Sequence, residues 1–225
     1  MLKRFIDKKT AFTLTELLIA LTIIGAVSAI AIPNLIEGLH KRSLVAQVKN
    51  IYGTVQEVAR EQMVVKKTKN LIDTDFADPA KLLTDKNFQI TKKCTSVSDC
   101  WVGPYKSITR ASMQTRVVEG SPTSVILKNG LILSYQKKVM EYKIDNGKDR
   151  AIGLFYVDVN GSDKPNIIGR DVFWFYITEK GKVVDHYLAT GTTYNKSTAI
   201  TNCKSGFVIT GCFSVVMRNN WVMDY

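Results

Sequence analysis

The sequence predicts an α+β protein: a long N-terminal helix, apolar in its first half, packed on an antiparallel β-sheet domain. Three observations predict it. Leu17 to Ile36 is an uncharged run of 20 residues. Beyond it, apolar residues recur at Leu44, Val48, Ile51, Val55, Val58 and Val65, with Gln62 in the remaining slot. These steps of four and three mark one helical face. From Pro122 onward, β-branched and aromatic runs are separated by Asn-Gly, Asp-Asn-Gly and Glu-Lys-Gly turns, the pattern of successive hairpins.

The N-terminal element begins with a basic stretch. Lys3, Arg4, Lys8 and Lys9 stand against Asp7, and the uncharged run follows. As a helix, that run spans about 30 Å, the thickness of a bilayer core. Glu16 sits at its lip, four residues after Phe12. Comparable charges at mid-helix cost roughly 2.5–3.5 kcal/mol on insertion scales, so an acid beside such a span is expected to have a partner. A free ammonium at Phe12 would be one: at about 4 Å the pair gains roughly 4 kcal/mol at an effective dielectric near 20, before desolvation. The simpler reading is an interfacial Glu favoured by the helix dipole.

Ala11, Phe12, Thr13-Leu14-Thr15-Glu16-Leu17-Leu18 and Pro33 together resemble the processing and assembly segment of type IV pilin-like proteins. That family includes the pseudopilins of type II secretion. The resemblance implies a pilin-like fold and cleavage between Ala11 and Phe12 by a prepilin peptidase. It also implies N-methylation at Phe12 and a filament held together partly by Glu16 pairing with a neighbouring subunit's amino terminus. The family prefers Gly before the cut, where this chain has Ala11. The implied partners are copies of the chain, other pilin-like subunits and the cytoplasmic membrane. The implied location is the bacterial inner membrane, single-pass, with the globular part periplasmic or extracellular. The division that follows is a leader at 1–11, an assembly and membrane half-helix at 12–36, an amphipathic half at 37–66 and a globular domain at 67–225.

Two other readings of the N-terminus remain. Ala29-Ile30-Ala31 fits an A-x-A signal-peptidase site, and a cut there would release a soluble protein starting at Ile32. The acid, the threonines and the length of the apolar run argue against it. An uncleaved anchor is the third reading.

Past Pro33 the helical face continues to about Lys66, with Pro33 and Gly38 as bend points. Residues 66–123 are mixed. Asp78-Pro79-Ala80-Lys81-Leu82-Leu83 opens a short helix with Pro in its first turn. The sheet then reads as Ser124–Lys128, Leu131–Gln136, Val139–Ile144, Ala151–Val157, Val172–Thr178 and Lys182–Leu188, about six antiparallel strands. Alternation along Phe173-Trp174-Phe175-Tyr176 sends two rings into a core and two outward. In the tail, Phe213, Val216 and Met217 mark a short helix ended by Asn219-Asn220, and Trp221, Val222 and Tyr225 return to the core.

Four cysteines, even in number and locally spaced, suit an exported protein. Four allow three pairings; proximity favours Cys94 with Cys100 and Cys203 with Cys212, each bridge worth roughly 2–3 kcal/mol in the chain-entropy model. Between two strands, Asp158, Asn160, Asp163 and Asp171 alternate with Gly161 and Gly169. Hard cations take six to eight oxygens from such groups, so a structural calcium ion is the expectation, against an ion-free Asx-turn loop. The spacing is not an EF-hand. Some pseudopilins hold calcium in a comparable loop.

Catalysis is the less expected class. There are two His, His40 at the membrane edge and His186 in an expected strand beside Asp185. The G-x-S-x-G, P-loop, H-E-x-x-H and dinucleotide patterns do not occur. The first eleven residues carry net +3, so a chain cut there keeps +8 of the total +11. That excess suits nucleic acid or anionic lipid. The functional expectation is a structural filament subunit; the alternatives are a minor pilin that binds DNA or a surface ligand, and a secreted soluble protein.

Overall fold

The computed structural model describes residues 13–109, 112–113, 117–144, 146–205 and 210–225. Its first helix, α1, runs from Leu14 to Val65, within two residues of the expected limits. The chain divides into a unit ending at His40 and a second spanning Lys41–Tyr225.

In the first unit, α1 presents its apolar side chains outward. Leu17, Leu18, Ile23, Ile24, Ile30 and Ile32 are all exposed, and none of the most apolar window of α1 is buried. A helix apolar all round, long enough to span a bilayer, is what lipid or other helices cover.

In the second unit, the predicted stripe is the buried one. Leu44, Val48, Ile51, Val55, Val58 and Gln62 are buried, joined by Val45 and Ala59. Val65 is exposed, so the stripe ends one step early. The helix stops there, and the chain turns at Lys67 with a positive φ of 52°. The short helix α2 (Pro79–Leu82) forms as predicted, its N-terminus capped by Asp78 with Pro79 in the first turn.

The strands are β1 (Ile90–Lys93), β2 (Tyr105–Lys106), β3 (Ser112–Met113), β4 (Thr123–Leu127), β5 (Ile132–Lys137), β6 (Lys143–Ile144), β7 (Asp149–Asp158), β8 (Val172–Thr178) and β9 (Val183–Val184). The main sheet has the order β1-β4-β5-β7-β8-β9, with β6 beside β7, all antiparallel; β2 and β3 form a separate ribbon. The helices α3 (His186–Thr190), α4 (Lys196–Lys204) and α5 (Cys212–Arg218) follow.

Register sorts the sheet into two faces. Tyr135, Phe155 and Phe175 stand opposite one another and pack with Phe76 and Phe213. The same core takes in the α1 stripe, the cover that stripe was expected to need. Burying each such side chain contributes about 1.5–3 kcal/mol. Ser124, Ser134, Tyr156 and Trp174 form the other face. There Trp101 Nε1 donates to Ser134 Oγ at 2.7 Å. Both faces are therefore covered. For this reason Tyr176 is buried with Phe173 and Phe175, where simple alternation predicted two rings outside.

Three sheet expectations are corrected. Of Val139–Ile144 only Lys143 and Ile144 form a strand, although the Met140 N–H also donates to the Ala151 carbonyl of β7 at 2.8 Å. Lys182–Leu188 pairs only at Val183 and Val184, because Asp185 accepts from the Leu188 N–H at 2.8 Å and starts α3; His186 thus lies in a helix. Strand β1 arises inside the stretch read as mixed. In the tail, Tyr225 packs against the core, but Met223 is buried where Val222 was expected, and Val222 is exposed.

Candidate functional site

At the start of α1, Glu16 and Thr13 satisfy each other. Glu16 Oε2 accepts from the Thr13 N–H and from the Thr13 hydroxyl, both at 2.8 Å, and the Glu16 N–H donates to Thr13 Oγ1 at 3.2 Å. This is a capping box. In the single chain the acid therefore caps its own helix end. Ala11 and Phe12 lie outside the described residues. Along the same helix, Gly25 has open space around it.

The loop between β7 and β8 brings Asp158 and Asp171 together. Asp158 is 0 % exposed and Asp171 1 %. The Val159 N–H donates to the Asp171 carbonyl at 2.9 Å, tying the loop ends. Asp158 Oδ2 accepts from the Tyr105 hydroxyl at 3.0 Å. Asp171 Oδ2 accepts from the Ile167 N–H at 3.0 Å, and the Asn160 side chain lies against Asp171. Gly161 takes a φ of +62°, and a Cβ there would collide with the Gly130 carbonyl in the β4–β5 turn. That close approach needs glycine.

Burial pushes the Asp158 carboxyl up to about 7, helped by the neighbouring Asp171 and resisted by the Tyr105 hydroxyl. Burial likewise pushes Asp171 up to about 6, resisted by the Ile167 N–H and by Arg170. The two desolvated acids lie side by side, and the pull of Arg170 on Asp171 is smaller than the effect of burial.

The donor set fits a hard cation. Asp158, Asn160, Asn166 and Asp171 each keep one buried side-chain oxygen with no hydrogen-bond partner. Buried acceptors of this kind ordinarily have one. Carboxylate and amide oxygens are the donors calcium takes. Asp163 is exposed; its carbonyl accepts from Asn160 Nδ2 at 2.7 Å. Among the described residues no three His, Cys, Asp or Glu side chains converge, so the carboxylates brought together number two, and Asp163 is not with them. Tyr105 was not read from the sequence as part of this site, and Asn166 lies within the run read there without being named as a ligand. The Lys106 N–H, donating to the Asn166 carbonyl at 2.9 Å, brings β2 alongside, and nothing in the local sequence signals that contact.

The structure bonds Cys94 to Cys100 and Cys203 to Cys212. His186 is half-buried, and desolvation lowers its pKa despite Asp185. Asp185, fully buried, pairs instead with Arg218.

Among known families, residues 6–32 match the prokaryotic N-terminal methylation motif. Neither a curated protein nor a solved structure matches the chain. The motif indicates a type IV pilin-like or pseudopilin-like protein, and it implies processing by a prepilin peptidase.

Proposed function

We propose that this chain, carrying a prepilin-type methylation segment on an α+β, pilin-like architecture, is a structural subunit of a type II secretion pseudopilus or a related type IV filament. The observation that carries this reading is the joining of the motif at residues 6–32 to a half-helix whose large apolar side chains, from Leu14 to Leu39, are exposed. Cleavage between Ala11 and Phe12 frees the half-helix 12–36 from its leader, and Phe12 is then methylated. The bilayer stores that half-helix until it is extracted. Assembly exchanges lipid contacts for contacts between helices, and head-to-tail repetition gives an open filament. Gly25, Ala26, Ser28, Ala29 and Ala31 let neighbouring helices approach closely. In the filament Glu16 leaves Thr13 for the amino terminus of a neighbour.

The globular part lies outside the cytoplasmic membrane and carries a structural calcium ion, held by Asp158, Asn160 and Asp171. When bound, the ion supplies positive charge that offsets the repulsion between two buried carboxylates.

Intact mass and N-terminal sequencing of the chain, expressed with and without a prepilin peptidase, test the processing step. The expected product begins with methylated Phe12 only when the peptidase is present. A product beginning at Ile32, or one still beginning at Met1 with the peptidase present, overturns the reading.

A further inference from the structure

The cation loop rests on a disulfide. Gly169, two residues before Asp171, has a φ of +86°. A Cβ built there would stand 2.5 Å from Cys212 Sγ, 2.7 Å from Cys203 Sγ and 3.1 Å from the Ile108 side chain. The loop backbone therefore lies directly on the bridge. Its position is set from other sides too. The Gly169 N–H donates to the Val172 carbonyl at 2.9 Å, and the Gly169 carbonyl accepts from the Tyr225 hydroxyl at 2.6 Å. Both cysteines are buried. Cys203 lies in the last turn of α4 and Cys212 opens α5. At Gly211 a Cβ would collide with the Ala199 carbonyl, so the two helices have no slack between them.

We propose that the Cys203–Cys212 bridge and the cation loop are coupled. The oxidised bridge holds residues 167–171, and with them Asp171, where a divalent cation of the calcium class can use the carboxylate. The bound cation in turn protects the bridge from reduction by dithiols. This rests on the cation reading given under the proposed function.

The chemistry balances as ordinary thiol–disulfide exchange. One thiolate of the dithiol attacks a cystine sulfur and the S–S bond breaks, giving a mixed disulfide. The second thiolate closes the reductant into its own disulfide. Two electrons pass to the cysteine pair, and the two protons lost by the dithiol end on Cys203 and Cys212. Bonded sulfurs stand about 2.05 Å apart, whereas non-bonded heavy atoms settle nearer 3.5–4 Å. Reduction must therefore part the sulfurs by more than an ångström. The side facing Gly169 has no space for that, so the loop shifts and Asp171 shifts with it. Coupling between equilibria is reciprocal: the factor by which reduction weakens the cation is the factor by which the cation opposes reduction.

The test uses the full chain in detergent micelles. Calcium affinity is measured by titration calorimetry on the oxidised chain and on the Cys203→Ser/Cys212→Ser variant. Separately, the unmodified chain is equilibrated in dithiothreitol redox buffers with calcium or with chelator. Each bridge is then followed by thiol alkylation and mass analysis, with Cys94–Cys100 as the internal comparator. The expected results are about a ten-fold loss of affinity in the variant, in the usual range for coupled sites, and a shift of the same factor in the reduction equilibrium of Cys203–Cys212 alone. Should the variant fail to fold, the reduction equilibrium of the unmodified chain decides. Equal reduction with and without calcium, in a chain that does bind calcium, overturns the coupling and leaves the cation site standing. No calcium binding by the oxidised chain overturns both.

Discussion

Raising the pH from 4 to 7 in the absence of divalent cations is expected to destabilise the globular part. The cause is the pair of buried acids. Asp158 is raised to about 7 and Asp171 to about 6, both from 3.8. Between those limits this pair binds more protons in the folded chain than in the unfolded one, so its contribution to stability falls as pH rises. At about 1.36 kcal/mol per pH unit, and with Asp158 half ionised at the upper limit, it alone accounts for about 3 kcal/mol over this interval. Asp171 acts in the same direction. For a domain of this size, 1 kcal/mol moves the melting temperature by about 2–4 °C, so a fall of about 10 °C is expected in chelator. On the proposed cation reading, calcium would bind the ionised pair and so oppose protonation. With calcium in excess the melting temperature is expected to hold level or rise over the same interval. Tryptophan fluorescence on heating reads the transition, since Trp101 and Trp174 both contact buried groups. The isosteric Asp158→Asn/Asp171→Asn variant is expected to lose both the fall and the calcium effect. A melting temperature in chelator that rises or stays level from pH 4 to 7 would show that the acids are not desolvated as described.

Other outcomes follow from single contacts. Asp185→Ala removes the cap on α3 and the partner of the partly exposed Arg218, so a loss of about 1–3 kcal/mol by denaturant unfolding is expected. A loss below about 1 kcal/mol would contradict that role. Tyr135→Phe leaves the Phe76 carbonyl, now bonded at 2.9 Å, without its donor; the expected cost is about 1–3 kcal/mol, with secondary structure by circular dichroism unchanged. Gly169→Ala meets both a positive φ and two sulfur atoms. Its melting temperature is expected to fall further than that of Gly130→Ala, where φ is also positive but the space is open.

Much of the fold was legible because its signals are local. The step pattern from Leu44 to Gln62 names the buried stripe almost residue for residue, and Asn129-Gly130 places the β4–β5 hairpin. What was not legible depends on contacts between distant segments. Strand β1 has two lysines in four residues and one buried position, so it carries no alternation of its own; pairing with β4 makes it a strand. The burial of Tyr176 depends on a second layer over the sheet that no periodicity in β8 encodes. Asp185 ends β9 by capping α3 with one carboxylate oxygen while the other finds Arg218 across the chain. At the candidate site, Asp158, Asn160 and Asp171 could be picked out by spacing, whereas Tyr105 enters only through β2. For Glu16 the sequence offered a place at the helix start favoured by the dipole; the capping box with Thr13 emerges only in the structure.

The most direct test of the filament account is Glu16→Gln. The substitution keeps the size and hydrogen-bonding capacity of the side chain while removing its charge. Peptidase cleavage, Phe12 methylation and membrane insertion should all proceed as before, and electron microscopy should find no filaments. Filaments of normal number and length from the Gln variant would contradict the claim that this acid docks one subunit on the next.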